Sequence, residues 1–233
     1  MAETHKLEVC VKTNKSILIA TLIAVIIAGG LSRKPVQAME MPSLLHGMEE
    51  MMEGPQQAKL GKPAPEFSLE AVVGTESGKE FKRLNLTDYR GKWVVLFFYP
   101  ADFTFVCPTE IKGFNEALDA FKKLDAAVLG VSVDSKFSHL AWIKRGDLGD
   151  LKYPLLSDLK KEVTARYGIL DDKEGVALRG LFIIDPKGVL QYQVVHNLEV
   201  GRSVDETLRV LEALQTGSLC PLGWKPGQKT LGK

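Results

Sequence analysis

The clearest hydrophobic pattern in the chain is a continuous apolar run at residues 93–99, which reads WVVLFFY. Such a run of β-branched and aromatic residues is typical of a strand that is buried on both faces of a sheet. Pro100 ends it, because proline cannot continue the hydrogen-bond ladder of a central strand. A second run of this kind covers residues 126–133, and residues 66–73 fit an earlier strand. The pattern therefore predicts a sheet with buried central strands.

Helical periodicity separates these strands. Apolar residues recur every three or four positions over residues 108–124, which predicts a helix that begins beside Cys107. Three later helices are predicted over residues 135–145, 160–167 and 204–216. Ser135 is a suitable N-cap for the first of them, and Gly217 ends the last.

A strand-turn-strand signal precedes the last helix. Residues 181–184 and 190–195 are apolar, and the turn between them, Asp185-Pro186-Lys187-Gly188, has proline at its second position. The order of elements is thus β-α-β-α, then a β-hairpin, then a helix. Helices that alternate with buried strands cover both faces of a central sheet, which defines the α/β class. We expect a thioredoxin-like fold with a mixed central sheet flanked by helices.

The N-terminal part of the chain has a different pattern. Residues 17–31 form an uncharged run with lysines before it and Arg33 and Lys34 after it. Its length suits a signal peptide better than a full membrane span, and cleavage after Ala38 would fit the small residues there. We therefore expect residues 1–38 to be a signal peptide or a membrane anchor, and the protein to be exported or membrane-anchored. A cytoplasmic chain that uses neither is the alternative.

Length and composition limit the possible number of domains and the possible kinds of partner. The chain has 233 residues, with 30 basic and 29 acidic side chains and a formal net charge of +1. This balance gives no reason to expect a nucleic-acid partner. Residues 39–58 are rich in Met, Glu, Gly and Gln and lack periodicity, which predicts a linker. Residues 59–233 then form one domain of ordinary size with a C-terminal tail.

Three cysteines are present, namely Cys10, Cys107 and Cys220. They are too few and too scattered for a disulfide framework, and they lack metal-ligand spacing. We therefore expect no metal and no other cofactor. Cys10 precedes the apolar run, so it cannot be a lipid-modified cysteine of the kind that follows such a run. We assign it no part in the chemistry.

Cys107 lies between a predicted buried strand and the start of a helix. The unpaired N–H groups and the dipole of a helix N-terminus favour the thiolate, which is the nucleophilic form. Pro108 suits the first helical turn, where its missing N–H would have no partner. There is no second cysteine at Cys-x-x-Cys spacing, which argues against a simple dithiol exchanger. The alternative is that Cys107 is a small buried hydrophobe.

The segment FFYPADFTFVCPTEI resembles the active site of the peroxiredoxins, in particular their typical two-cysteine class. The resemblance continues through GVSVDSKFSHLAW, YPLLSD, ALRGLFIID, GRSVDETLR and CPLGWKPG. It implies a thiol peroxidase whose substrates are hydrogen peroxide and organic hydroperoxides. The residues that match catalytic or supporting positions of the family are Cys107, Thr104, Pro100, Arg179, Glu110 and Arg202.

The resemblance also implies a role for each of these residues. Cys107 would attack the peroxide, Thr104 would hydrogen-bond it, and Pro100 would shield the site from water. Arg179 would stabilise the thiolate, with Glu110 and Arg202 as supporting charges. Simpler functions remain open for some of them. The threonine could cap a turn, the proline could end a strand, and the glutamate could favour the helix dipole. The second arginine could pair with Asp205 or Glu206 on its own helix.

Cys220 resembles the resolving cysteine of the family, although Leu219 replaces the usual valine before it. The resemblance implies a disulfide with Cys107 of a second subunit, and hence a homodimer or a ring of five dimers. It also implies a thioredoxin-like protein as the reductant. Other functions to be weighed are a holdase chaperone and a thiol-disulfide carrier. Neither explains Thr104, Cys107 and Arg179 together.

Overall fold

A seven-stranded sheet forms the centre of the computed structural model, which describes residues 57–232. The strands along the chain are β1 Ser68–Val72, β2 Phe81–Asn85, β3 Trp93–Phe98, β4 Ala126–Ser132, β5 Leu155–Ser157, β6 Leu170–Asp171, β7 Val176–Ala177, β8 Arg179–Ile184 and β9 Leu190–His196. The sheet has the order β2-β1-β5-β4-β3-β8-β9, whereas β6 and β7 pair with each other. Strands β3, β4 and β5 run parallel and the outer pairs run antiparallel. The predicted mixed α/β sheet is confirmed.

The helices occupy most of the predicted positions. They are α1 Cys107–Glu116, α2 Leu118–Lys123, α3 Lys136–Arg145, α4 Glu162–Arg166 and α5 Val204–Gln215. The single helix predicted over residues 108–124 is wrong, because it breaks at Ala117, whose backbone leaves the helical region at φ −86° and ψ 1°. Beside this break the Asn115 side chain bonds to the backbone of Asp150 and Lys152. This tertiary contact is not visible in the periodicity.

The apolar run of β3 explains why the sheet is covered on both faces. Val94, Leu96 and Phe98 point into one hydrophobic cluster, while Val95 and Phe97 point into the other. In the second cluster the Phe97 ring stacks on Phe114 of α1 with ring centroids 4.6 Å apart. Burial on both faces removes polar positions from the strand, as the sequence indicated.

Strands β2 and β5 were not predicted from the sequence. Strand β2 lies at the sheet edge and exposes Lys82 and Arg83, so it lacks the apolar signal of a buried strand. Strand β5 has three residues and is too short to show a period. Their positions become clear only through pairing with β1.

The predicted N-terminal segments lie outside the described residues. This applies to the signal peptide or anchor over residues 1–38, to Cys10, and to the linker up to residue 56. Within residues 57–232, every helix is too short or too polar to cross a membrane. The first backbone hydrogen bond at this end joins Ala58 N–H to the Arg166 carbonyl at 2.9 Å.

Candidate active site

Cys107 is the first residue of α1, and its side chain is fully buried. Strand β3 leads to Pro100, which is also buried, and the loop that follows returns the chain to the helix N-terminus. Pro108 lies in the first turn, as predicted. The strand and helix therefore hold Cys107 at the N-terminus of α1, the end at which a helix dipole is positive.

Arg179 provides a positive charge beside the sulfur. Its Nη1 donates a hydrogen bond to Cys107 Sγ at 3.4 Å, and its Nε donates to the Leu198 carbonyl at 2.7 Å. Arg179 begins β8 and is almost completely buried. A guanidinium does not lose its proton under ordinary conditions, so Arg179 places a permanent positive charge and a hydrogen-bond donor against the Cys107 sulfur.

Glu110 lies one turn after Cys107 and connects two arginines. Its Oε2 accepts hydrogen bonds from Arg179 Nη1 at 2.6 Å and Arg202 Nη2 at 3.0 Å. Its Oε1 accepts from Arg202 Nε at 2.7 Å and from the Arg202 backbone N–H at 2.8 Å. Burial by itself would raise the pKa of this carboxyl group. The hydrogen bonds and charge of Arg202, together with the charge of Arg179, outweigh burial and hold the pKa below its usual value.

Arg202 is part of this buried cluster. Its Nη1 donates to the carbonyls of Phe98, at 2.7 Å, and Gly180, at 2.5 Å. These bonds connect the ends of β3 and β8 to Glu110. The open alternative was that Arg202 pairs with Asp205 or Glu206 on the same helix. Arg202 instead lies just before α5 and pairs with Glu110, whereas Glu206 pairs with Arg209.

Thr104 and Pro100 lie on the loop between β3 and α1. The Thr104 hydroxyl donates to the Ala101 carbonyl at 3.0 Å, so the residue does cap a turn. Pro100 ends the strand and is buried. These local functions are compatible with the hydrogen bond from Thr104 to peroxide and with the shielding of the site by Pro100, which both stay predictions.

Cys220 lies in the tail after α5 and does not join the arginine cluster. Its Sγ is 3.5 Å from Thr216 Oγ1 and 3.8 Å from the Ala213 carbonyl, both at the end of α5. Cys107 and Cys220 are free thiols in this protomer. Farther along the tail, the Trp224 carbonyl accepts a hydrogen bond from Arg209 of α5 at 2.9 Å. The structure thus brings four predicted residues together, Cys107, Glu110, Arg179 and Arg202.

A second buried polar group was missed in the sequence. His139, on α3, contacts Asp102, in the loop before Cys107. The two residues are 37 positions apart, so no local spacing could indicate the pair. Within residues 57–232, no group of three or more His, Cys, Asp or Glu side chains is arranged to hold a metal ion.

Replacing Glu110 with Gln is expected to lower the free energy of unfolding by about 3 kcal/mol, because two buried guanidinium groups would lose their counter-charge. Thermal or urea unfolding measures this effect. The matched control is Glu76→Gln, which removes the same charge from an exposed pair with Lys79 and should leave stability unchanged. Equal effects of the two substitutions would contradict the prediction.

The stability difference between wild type and Glu110→Gln should depend on pH. The folded-state pKa of Glu110 is lowered, so its stabilising contribution is complete above the unfolded-state pKa, which is about 4.3 for glutamate. The contribution is lost as the pH falls from that value through the folded-state pKa. Unfolding curves should therefore converge at acidic pH and differ fully near neutrality.

Comparison with known proteins identifies the family of this chain. The sequence profile of the AhpC/TSA family matches residues 60–193. Peroxiredoxin-2 of Rattus norvegicus is 56% identical over an alignment of 182 residues, which covers 75% of this chain and 90% of the rat protein. The reduced 2-Cys peroxiredoxin of Plasmodium vivax superimposes with a TM-score of 0.69 at 45% identity, over 73% of this chain and 91% of that chain. AhpC of Mycobacterium bovis has a TM-score of 0.66 at 42% identity, over 72% and 99% of the two chains.

Most residues of the buried cluster lie in the region that the family profile matches. The matched region contains Cys107, Glu110 and Arg179, and Arg202 follows it closely in the chain. The expected family and the expected thioredoxin-like fold are both confirmed by these relatives. Because the profile spans more than half of the chain and close relatives share most of its length, the chain belongs to the AhpC/TSA family and is a peroxiredoxin, a thiol-dependent peroxidase.

Proposed function

We propose that Cys107 is the attacking thiolate and that hydrogen peroxide and organic hydroperoxides are its substrates. The observation that carries this proposal is the hydrogen bond from Arg179 to the Cys107 sulfur, with Glu110 holding the same guanidinium. The sulfur attacks one peroxide oxygen and the O–O bond breaks. Cys107 becomes a sulfenic acid, and the departing oxygen takes a proton to leave as water or an alcohol.

Arg179 would act on both partners of this step. Its fixed charge stabilises the thiolate before the attack and the negative charge that develops on the departing oxygen. Thr104 would hydrogen-bond the bound peroxide, and Pro100 would limit access of water. Burial of the cluster supports this arrangement, since electrostatic interactions are stronger where water is excluded.

Cys220 would then resolve the sulfenic acid. Its thiol attacks the oxidised Cys107 sulfur, a disulfide forms, and water is released. We propose that the two cysteines come from different subunits of a homodimer, which assembles further into a ring of five dimers. Support comes from the packing of Cys220 against the end of its own α5, where it forms no disulfide with Cys107 of the same protomer. Because Cys107 is fully buried, the first turn of α1 must open for this step.

A thioredoxin-like dithiol protein would complete the cycle by supplying two electrons and two protons to the disulfide. The apolar run at residues 17–31 supports export or membrane attachment of the enzyme. In that location the reductant must be on the same side of the membrane. Sequencing of the native N-terminus would show directly whether residues 1–38 are removed.

Co-expression of two variants tests the disulfide between subunits. Chains with Cys107→Ser and Cys220→Ser, each with a different tag and both with Cys10→Ser, are purified as mixed dimers and treated with peroxide. We expect a disulfide-linked dimer on a non-reducing gel, with one peptide that joins Cys220 of one chain to Cys107 of the other. Each variant alone serves as the control and should form no such link. A wild-type disulfide within one chain, with no link in the mixed dimer, would disprove the arrangement.

A further inference from the structure

A buried polar cluster lies beside the loop that carries Pro100 and Thr104. His139 Nδ1 is 2.9 Å from Asp102 Oδ2, and His139 Nε2 is 3.2 Å from the Leu156 carbonyl. The Asp102 carboxylate also accepts hydrogen bonds from the Tyr99 hydroxyl at 3.0 Å and the Ser138 hydroxyl at 2.7 Å. The His139 side chain is fully buried and the Asp102 side chain nearly so. The peroxidase reaction as proposed above uses neither residue.

Asp102 is in the middle of the loop, two residues from Pro100 and two from Thr104. Its backbone N–H also donates to Asp134 Oδ2 at 2.9 Å, so both its main chain and its side chain are held from outside the loop. Thr104 bonds to the carbonyl of Ala101, the neighbour of Asp102. The position of the Thr104 hydroxyl therefore depends on where Asp102 is held.

Helix α3 contacts the same loop at a second point. Phe103 has a φ of 57°, a backbone conformation that side-chain-bearing residues seldom adopt. Its ring lies against Trp142, with centroids 5.7 Å apart, and the Arg145 guanidinium is 4.8 Å from the ring centroid. Such a conformation persists where neighbouring contacts enforce it. The loop is thus shaped by contacts with α3 rather than by its own preferences.

We propose that His139 is a positioning residue which acts through Asp102 to hold Pro100 and Thr104 over Cys107 for attack on the peroxide. The proposal rests on the function assigned above to Cys107. Contacts of His139 with Asp102 determine the loop position, whereas its bond to the Leu156 carbonyl anchors the ring to β5. His139 does not contact the reacting atoms.

The contacts of His139 with Asp102 and with the Leu156 carbonyl can be separated by substitution, and the Tyr99 hydroxyl, 3.4 Å from Nδ1, lies on the Asp102 side. In His139→Asn the new amide would lie near the former Nδ1 and could still bond to Asp102. In His139→Gln the longer side chain would place its amide near the former Nε2, within reach of Leu156. We therefore compare these two variants with His139→Leu, which loses both contacts. For each reduced full-length protein, stopped-flow kinetics give the rate constants for Cys107 with hydrogen peroxide and with iodoacetamide. Alkylation requires the thiolate but no peroxide-binding geometry.

His139→Gln and His139→Leu are expected to react roughly 10- to 100-fold more slowly with peroxide, since small displacements of positioning groups have effects of this size. Their alkylation by iodoacetamide should not be slower. His139→Asn should retain most of the peroxide rate. The control is Thr164→Val, which removes an equally buried hydrogen bond to Asp158 and should change neither rate constant.

Different failures have different meanings. If wild type shows no reaction of Cys107 with peroxide, the proposed function is wrong and this inference falls with it. If wild type reacts and the Gln and Leu variants match it, the positioning role alone is disproved. Equal losses in the Asn and Gln variants, or equal losses for peroxide and iodoacetamide, would also overturn it. If His139→Leu does not fold, the difference in peroxide rate constant between His139→Asn and His139→Gln still tests the positioning role.

Discussion

A Cys107→Ser enzyme is expected to reduce no hydroperoxide above the uncatalysed background. A serine hydroxyl is almost fully protonated near neutral pH and is a weak nucleophile without an adjacent base. Arg179, the neighbour that contacts this position, is a hydrogen-bond donor and cannot accept the hydroxyl proton. The measurement is peroxide consumption with a thiol reductant in excess, together with mass spectrometry of the peptides that span position 107.

Cys220→Ser is the matched control for this experiment, because it removes the other described thiol and leaves the buried cluster intact. Without added thiol, reduced Cys220→Ser should consume one equivalent of peroxide per subunit and accumulate a sulfenic acid at Cys107 that a dimedone probe traps, whereas Cys107→Ser should consume none by this route. If Cys107→Ser still reduces peroxide and Cys220→Ser does not, the attacking residue is Cys220, and the prediction for Cys107 is wrong.

Replacing Arg179 with Met should slow the reaction of Cys107 with peroxide by roughly 10²- to 10³-fold, the usual effect of removing one donor to developing negative charge. Methionine has a similar length and suits the buried position. Glu110 would keep its ion pair and hydrogen bonds with Arg202, so the cluster does not lose its internal compensation. Stopped-flow mixing of reduced enzyme with peroxide measures the rate constant directly.

Two further variants sharpen this prediction. Arg179→Lys retains a charge but loses the planar guanidinium, whose Nη1 bonds both the sulfur and Glu110 while its Nε bonds the Leu198 carbonyl, so its rate constant should lie between wild type and Arg179→Met. Arg83→Met removes an arginine from an exposed pair with Glu70 and should leave the rate constant unchanged. A wild-type rate in Arg179→Met would remove the main physical support for Cys107 as the attacking group.

The sequence predicted well those features that are local. Burial on both faces makes β3 a continuous apolar run, and α1 shows its periodicity and its proline in the first turn. These patterns by themselves placed Cys107 between a strand and a helix N-terminus. The family resemblance then named Glu110, Arg179 and Arg202, which the structure brings into contact with one another.

Tertiary structure alone decided how distant segments meet. Arg202 pairs with Glu110 across 92 positions, although acidic residues follow it closely in the first turn of α5. The edge strand β2 and the His139–Asp102 pair likewise depend on neighbours that lie far away in the chain. Hydrophobic periodicity records whether each side chain is buried, but it does not record which surface buries it. For polar groups the sequence therefore does not show the partner, and a buried charge is stable only with the partner that the fold supplies.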